Sequence, residues 1–187
     1  EAPDDLSSRV FFWNCEGAES SESGSTSYIN EEEAERVVRL ALYLVGQGVA
    51  PKRITILAAY GRQMLLVRRK LRAQLPLCLK HVPKDPSANK PATASGSSAR
   101  ALVVSAAKRG GAHTKDDALN EAEIEVQTID RYQGDENDIV LVSLVRSNVD
   151  KAIGYLGTND GKNRLCVAQS RARSCLVFVG NATCLRE

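Results

Sequence analysis

The chain has 187 residues, with 25 basic and 23 acidic side chains that give a formal charge of +2, and 43% of its residues are hydrophobic. This length predicts one domain that buries roughly 70% of the surface its unfolded chain exposes, and the ordinary apolar content excludes disorder throughout. No apolar stretch approaches the ~20 residues that a membrane-spanning helix needs. Because the charge balance is close to neutral, any nucleic-acid binding must depend on a local patch.

The first half of the sequence predicts two strands, each followed by a helix. Residues 9–14 have the composition of a strand, and a Ser/Gly/Glu-rich loop follows them. Asn30 is predicted to cap a helix whose first turn holds three glutamates, and apolar residues at helical spacing continue to Gly46. A continuous apolar strand is expected at residues 54–59, with a second helix at roughly 62–74.

The second half predicts an insertion and then the rest of the sheet. From residue 80 to about 120 the composition shifts to Pro, Ala, Ser, Gly and Lys, which predicts a disordered insertion into the domain formed by residues 1–187. Strands are expected at residues 124–129, 138–145 and 174–179, with a helix from about 161 to 172.

The strands indicate the fold class, which is α/β. Several strands are apolar on consecutive residues, a pattern typical of a parallel sheet covered by helices on both faces. In such sheets ligands bind beyond the carboxyl ends of the strands. We therefore expect three polar clusters to meet at that edge, namely residues 59–63, 130–138 and 163–173.

Each cluster carries chemistry, and each also has a plain structural explanation. Tyr60 offers a face on which a base could stack, although taken alone it is better explained as a strand-end aromatic packed on the helix. Gly134 permits close backbone approach and Glu136 offers a carboxylate to sugar hydroxyls, although a polar turn explains both. Arg164 and Arg171, seven residues apart, are predicted to share a helix face that could hold phosphate oxygens, unless that face is simply solvated.

Taken together and in this order, the clusters resemble the second RecA-like domain of superfamily 1 helicases, in the Upf-like branch (superfamily 1B). Residues 60–63, Tyr-Gly-Arg-Gln, resemble motif IV, and residues 129–148 resemble motif V with its extension. Residues 154–156 and 163–173 resemble motif VI, and residues 25–34 resemble the segment that opens this domain. The run Tyr-Gln-Gly-x-Glu-Asn-Asp-Ile-Val leans toward the NFX-type zinc-finger helicases.

This resemblance implies a role for each matching residue. Arg171 would be the arginine finger on the γ-phosphate of ATP, and Glu136 would bind the ribose. The other nucleotide-site residues it implies are Tyr60, on which adenine would stack, Gln63, Gln133, Gly134 and Arg164. The implied candidates for contact with single-stranded RNA or DNA, or for coupling between domains, are Thr128, Arg146 and Asn148.

The sequence also departs from the family. Cys166, Gln169 and Ser170 stand where the family usually has Asn, Leu and Thr. No G-x-x-x-x-G-K-[ST] phosphate loop occurs, so this RecA-like domain lacks its own P-loop. The resemblance implies that ATP with Mg is held jointly with an upstream RecA-like domain, which would supply the Mg ligands, and that the fragment alone does not hydrolyse ATP.

Two other functions remain open at this stage. The chain could be a degenerate helicase half that binds nucleic acid or protein without turnover, or a parallel α/β domain for an unrelated ligand. Five cysteines without a C-x-x-C pair argue against a zinc site and favour a reducing, intracellular location, either cytoplasmic or nuclear. Because the chain has no long apolar stretch, we expect no membrane partner. We expect Cys166, Cys175 and Cys184 to be buried as small hydrophobes.

Overall fold

The computed structural model of the chain describes residues 9–22, 24–81 and 123–186. The strands in these residues are, in chain order, β1 (Val10–Asn14), β2 (Ser20–Ser21), β3 (Tyr28–Ile29), β4 (Ile54–Ala58), β5 (Glu125–Thr128), β6 (Asn137–Ser143) and β7 (Ala172–Gly180). Five of them form a parallel sheet in the order β1-β7-β6-β4-β5, while β2 and β3 pair antiparallel. The prediction of a parallel α/β sheet is therefore confirmed.

Helices cover both faces of this sheet. The helices are α1 (Glu31–Gly46), α2 (Gly61–His81), α3 (Asn159–Ser170) and α4 (Ala182–Leu185). Helices α1 and α2 pack on one face over side chains such as Ile56 and Leu141, and this layer forms the larger core. On the other face, α3 covers Leu57 and Val142 together with two 3₁₀ segments, Ile129–Tyr132 and Gly154–Gly157. None of the described helices is long and apolar enough to cross a membrane.

The start of α1 follows from its sequence. Asn30 has extended backbone angles, and its Oδ1 accepts a hydrogen bond from the Glu33 N–H at 3.0 Å. The three glutamates of the first turn lie near the positive end of the helix dipole, where carboxylates are favourable. The predicted cap at Asn30 is confirmed, as is the helix end at Gly46.

Helix α2 is longer than predicted. It passes through Pro76 to His81 instead of ending near residue 74. Proline removes one hydrogen bond from the helix interior, but Leu75 remains buried and Leu79 packs against the core on the far side of it. Burial of this apolar face offsets the lost bond. The first residues of the predicted insertion, 80 and 81, belong to α2. The rest of it lies outside the described residues, which stop at residue 81 and resume at residue 123.

The boundary between α3 and β7 also differs from the prediction. Helix α3 ends at Ser170, Arg171 is its C-cap, and Ala172 pairs with Asn137 as the first residue of β7. The strand begins two residues earlier than predicted, and its first residue, Ala172, falls in the segment predicted as helix. Arg171 therefore lies beside the amino ends of β6 and β7.

The connection between β5 and β6 determines where the second polar cluster lies. Residues 129–136, called here the crossing segment, leave the carboxyl end of β5 and arrive at the amino end of β6. Tyr132 anchors this segment on the sheet, because its ring is buried and its hydroxyl lies 3.2 Å from Thr55 Oγ1. The crossing segment thus begins at the side of the sheet where the parallel strands end, called here the carboxyl edge. It finishes at the side where the strands begin, called here the amino edge.

Candidate functional site

The amino edge of the sheet holds Arg171 together with the end of the crossing segment. The Arg171 Nε donates to the Val167 carbonyl at 3.2 Å, and Nη2 donates to Ser170 Oγ at 2.8 Å. Its Nη1 contacts the Asp135 carbonyl at 3.3 Å. A guanidinium has five N–H groups, so among the described residues one N–H on each terminal nitrogen of Arg171 has no partner. The side chain is oriented by the protein and still carries donors for an anion.

Glu136 lies at the same edge, as the last residue of the crossing segment. Its Oε2 forms an ion pair with the Arg173 Nε at 3.0 Å, with both side chains about half exposed. Exposed pairs of this kind contribute little, about 0–1 kcal/mol, so a ligand hydroxyl can compete for the carboxylate. Gln133 and Gly134 are exposed beside it, and Gly134 has φ +102° with no atom within 4 Å of the position that a β-carbon would occupy. The loop leaves room for close approach.

Tyr60 lies at the opposite edge, two residues beyond the carboxyl end of β4. Only 7% of Tyr60 is exposed, and the Tyr28 and Tyr155 rings pack against it in T-shaped contacts with centroids at 5.5 and 5.0 Å. Burial raises the pKa of Tyr60, which therefore stays a neutral phenol. The ring has little free surface on which a base could stack.

Gln63 is part of a buried polar network under this edge. Its amide oxygen accepts from the Asn30 N–H at 2.9 Å, and its amide nitrogen donates to the Asn30 carbonyl and to Ser143 Oγ, both at 3.0 Å. All three side chains are fully buried. Gln63 ties the start of α1 to β6 and does not face a ligand.

Arg146 is buried as well and is paired within the domain. Its Nε contacts Glu19 Oε2 at 3.0 Å, its guanidinium lies 4.1 Å from the centre of the Tyr28 ring, and Nη1 lies 3.4 Å from the Tyr60 hydroxyl. The same Glu19 oxygen accepts from the Asn148 side chain at 3.2 Å. Arg146 and Asn148 thus hold the loop after β6 in place, and a nucleic acid would have to displace Glu19 to reach them.

Arg164 lies near the carboxyl edge of the sheet, away from Arg171. Its guanidinium pairs with Asp130 and Asp160, each at 2.8 Å, and lies 5.2 Å from the centre of the Tyr155 ring. Thr128 ends β5 at this edge. The prediction that Arg164 and Arg171 address one site is wrong, because Arg164 contacts the crossing segment where it begins and Arg171 contacts it near its end, at the other edge.

The prediction that all three polar clusters meet at the carboxyl edge is also wrong. Pairing of Asn137 with Ala172 places Glu136 and Arg171 at the amino edge, whereas Ala58 pairs with Ser143 and leads to Tyr60 at the carboxyl edge. The structure brings Arg171 together with residues 133–136 and keeps Tyr60 and Gln63 apart from them. The cause is the crossing segment, which runs the length of the sheet between two strands.

Two buried carboxylates were not singled out by the sequence. Glu19 is the partner of Arg146, and Glu33 lies fully buried under the carboxyl edge with its Oε2 bonded to Ser143 Oγ and the Val145 N–H. The spacing Asn30-x-x-Glu33 is typical of a capping box, in which the glutamate would turn back to the cap residue. Here it points into the sheet instead, and Glu19 lies in a loop with no local signal at all.

The cysteines follow the predictions except at one position. All five are free; Cys15, Cys175 and Cys184 are buried, Cys78 is partly buried, and Cys166 is exposed on α3. Burial raises the pKa of Cys175 to about 12, so its thiol stays protonated. The expectation that Cys166 is buried is wrong, because α3 turns this residue outward to the solvent.

The described side chains at the amino edge can bind the phosphate and sugar of a nucleotide, but they do not form a site for its metal ion. The guanidinium of Arg171 suits phosphate oxygens, and the carboxylate of Glu136 suits sugar hydroxyls. Within residues 9–22, 24–81 and 123–186 no group of three or more His, Cys, Asp or Glu side chains could hold a metal ion. Ligands for Mg²⁺ are thus not gathered within these ranges.

These features define a parallel α/β domain that brings residues from the segments resembling helicase motifs V and VI together at the amino edge of its sheet. Residues 1–183 match the family described as "AAA domain", and the chain belongs to this family, the C-terminal domain of Upf-like superfamily 1 helicases. It is 32% identical to the helicase required for RNAi-mediated heterochromatin assembly 1 of Schizosaccharomyces pombe over 166 residues, 88% of this chain and 12% of that protein.

Two further relatives cover nearly all of the chain. The NFX1-type zinc finger-containing protein 1 of Mus musculus is 31% identical over 97% of this chain and 7% of that protein. The regulator of nonsense transcripts 1 of Caenorhabditis elegans is 30% identical over 94% of this chain and 12% of that protein. The chain therefore spans about a tenth of the length of these curated relatives, and the resemblance to Upf-like and NFX-type helicases seen in the motifs is confirmed.

Proposed function

We propose that this chain is the C-terminal motor domain of an ATP-dependent helicase that acts on single-stranded RNA or DNA inside the cell. Its part in the reaction is to present Arg171 and the loop of residues 133–136 to a nucleotide site completed by an upstream P-loop domain. ATP with Mg would supply the phosphoryl group that is transferred to water. The observation that carries this proposal is the contact of Arg171 with the Asp135 carbonyl, since it joins the segments that resemble motifs V and VI at one edge.

The proposed role of Arg171 is to neutralise charge as the phosphoryl group leaves. Its contacts with Val167 and Ser170 fix the guanidinium at the end of α3, so little conformational entropy is lost when phosphate oxygens bind the two remaining N–H groups. A guanidinium placed in this way raises the rate of phosphoryl transfer about 10³–10⁵-fold. Glu136 would release Arg173 and accept hydrogen bonds from the ribose, with Gln133 and Gly134 shaping the loop.

The roles of the carboxyl-edge residues in this proposal are indirect. Tyr60, Gln63 and Arg164 are engaged within the domain, so we assign them to holding that edge and not to contact with the nucleotide. We assign contact with a bound nucleic-acid strand to Thr128, Arg146 and Asn148. Arg146 and Asn148 would contact the strand only after leaving Glu19.

Replacement of Arg171 in the full-length protein tests the proposal. Arg171→Ala should lower nucleic-acid-stimulated ATP hydrolysis about 10³-fold or more, while the affinity for a fluorescent ATP analogue changes little, because adenine and ribose contacts remain. Arg39→Ala is the matched control, since it removes a guanidinium from the exposed surface of α1. ATP hydrolysis that survives Arg171→Ala at a near wild-type rate would contradict the arginine-finger role.

A second function is favoured by one observation. The Glu136 carboxylate already has a partner in Arg173, as it would in a degenerate helicase half that binds nucleic acid or protein without turnover. The two functions differ in the unmodified full-length protein. Absence of nucleic-acid-stimulated ATP hydrolysis, combined with binding of single-stranded RNA or DNA, would favour the binding module.

A further inference from the structure

The loop that follows β6 begins with an unusual turn. Val145 has φ +76°, and the Arg146 N–H donates to the Leu144 carbonyl at 2.9 Å, so the three residues form a γ-turn with a positive central φ. This form of the γ-turn is rare and strained, and a β-branched residue is among the least suited to it. Among the described residues other than glycine, Lys151 is the one other case of positive φ.

The backbone N–H and carbonyl of Val145 both form hydrogen bonds with side chains at the start of α1. The Val145 N–H donates to Glu33 Oε2 at 2.8 Å, and its carbonyl accepts from the Asn30 side-chain amide at 3.3 Å. The same Glu33 oxygen accepts from Ser143 Oγ at 2.7 Å, which fixes the carboxylate on the last residue of β6. Such conformations persist only where surrounding contacts over-determine them.

Glu33 is an unexpected residue for this place. It is fully buried, and no described Lys, Arg or His pairs with it. A buried carboxyl group without a cation is costly, and an apolar residue at this position of α1 would pack at lower cost. The carboxylate is explained by what it holds, because only an acceptor can satisfy the Val145 N–H inside the turn.

The turn determines the direction of the next residues. Directly after it, Arg146 turns back onto the Tyr28 ring and Glu19, and the Ser147 N–H donates to Glu19 Oε2 at 2.6 Å. Asn148 follows on the same carboxylate. These contacts require the chain to reverse at Val145, since an extended residue there would carry Arg146 away from the domain.

We propose that Glu33 is a positioning residue that holds Val145 in its left-handed conformation and thereby sets the path of residues 146–148. The proposal rests on the proposed function in one respect, because these residues include Arg146 and Asn148, candidates for contact with the nucleic-acid strand. Glu33 itself touches neither the strand nor the nucleotide. It acts through the turn, on the segment that a strand would meet.

Hydrogen–deuterium exchange of the full-length protein tests the positioning step without reference to activity. At pH 8, above the raised pKa of Glu33, Glu33→Gln keeps the shape of the side chain and one acceptor oxygen but removes the charge. Exchange in the peptide spanning residues 143–148 should then become about tenfold faster, as expected when a charge-assisted hydrogen bond is replaced by a neutral one. Glu32→Gln, on the exposed side of the same helical turn, should leave this peptide unchanged. Equal exchange in wild-type and Glu33→Gln proteins would overturn the proposal.

Val145→Gly provides the second arm of the test. Glycine adopts φ +76° without strain, so the effect of Glu33→Gln on exchange should be much smaller when residue 145 is glycine. The packing lost with the valine side chain is common to both members of that pair and cancels. If Glu33→Gln alone does not fold, recovery of folded protein by adding Val145→Gly supports the proposal, and failure to recover it overturns the proposal.

The functional consequence is measured separately. In the ATP hydrolysis assay, Glu33→Gln should raise the concentration of single-stranded RNA or DNA needed for half-maximal stimulation several-fold and change kcat less. Faster exchange with an unchanged nucleic-acid dependence would confirm the positioning step and contradict the assignment of residues 146–148 to strand contact. Unchanged exchange with normal nucleic-acid dependence would overturn the positioning step and leave the proposed function intact.

Discussion

The buried ion pair between Glu19 and Arg146 allows a quantitative prediction. Glu19 Oε2 accepts three hydrogen bonds, from the Arg146 Nε at 3.0 Å, the Ser147 N–H at 2.6 Å and the Asn148 side chain at 3.2 Å. The side chains of the ion pair are only 10% and 7% exposed. Glu19→Ala therefore leaves a buried guanidinium whose remaining polar contact is a 3.4 Å approach to the Tyr60 hydroxyl.

The expected cost follows from the uncompensated charge. Removing one partner of a buried ion pair destabilises a protein by about 3–5 kcal/mol, a large part of the about 5–15 kcal/mol that holds a domain together. For a chain of this length the midpoint of thermal unfolding should fall by roughly 6 to 20 °C. Urea unfolding of the 187-residue chain, followed by circular dichroism, gives the change in the free energy of unfolding directly.

Two comparisons identify the cause of that loss. Glu35→Ala breaks the contacts of a partly exposed carboxylate with Arg39 and Lys70 and should cost less than about 1 kcal/mol. Replacing both members of the buried pair, Glu19→Leu with Arg146→Met, should restore most of the stability because no charge is then left buried. A Glu19→Ala cost as small as that of Glu35→Ala, or a double variant no more stable than Glu19→Ala, would refute the reasoning.

Two further predictions concern Glu33 and Gly161. Burial raises the pKa of Glu33 from an ordinary 4.5 to about 7, so the folded state binds the proton more tightly than the unfolded state. The free energy of unfolding should therefore fall, by about 3 kcal/mol at most, as the pH rises from 4.5 to 7. Urea midpoints measured across that range should lose this slope in Glu33→Gln, and an unchanged slope would contradict the assignment. In Gly161→Ala the new methyl group would overlap the Tyr155 carbonyl and approach the Leu156 Cα within 2.6 Å, so thermal melts should show a loss of about 1–3 kcal/mol. Gly46→Ala, where no atom lies within 4 Å of the added carbon, is the control and should be neutral or slightly stabilising.

The predicted architecture depended on local patterns, and these were sufficient for the sheet. Continuous apolar strands predicted parallel pairing, and Asn30 with its three glutamates predicted the start of α1. The motifs in turn predicted the family. Each of these features is encoded within ten or twenty neighbouring residues, where strand pattern, capping and motif spacing act.

The edges of the sheet could not be predicted in the same way. The position of Glu136 depends on how far residues 129–136 travel between two strands, and the position of Arg171 depends on the pairing of Ala172 with Asn137. Arg146 is more than 100 residues from Glu19 in the sequence, and Val145 is more than 100 residues from Glu33. Such contacts arise from register and packing, and a single sequence carries no local signal for them.

The two edges are connected by α3 and the crossing segment, which lie side by side and are joined by two contacts. Arg164 pairs with Asp130 where the crossing segment begins, and Arg171 contacts the Asp135 carbonyl near its end. Arg164 and Arg171 are seven residues apart, which is about 10.5 Å along a helix whose 12 residues span about 18 Å, so these two contacts hold the second half of the helix to the segment. We therefore expect helix and segment to move as one body when Arg171 meets a phosphate.

In the proposed motor, that coupling would give the carboxyl-edge residues a part without any contact with the nucleotide. The Arg164 side chain lies over the ring of Tyr155, whose hydroxyl donates to the Ala59 carbonyl and whose ring packs on Tyr60. Tyr60 in turn contacts Arg146 in the loop after β6. Because packed side chains cannot yield independently, a shift that begins at the amino edge must be accommodated where Arg146 and Glu19 meet. The pair of contacts along α3 is thus what would link hydrolysis at one edge to the loop that we assign to the nucleic-acid strand at the other.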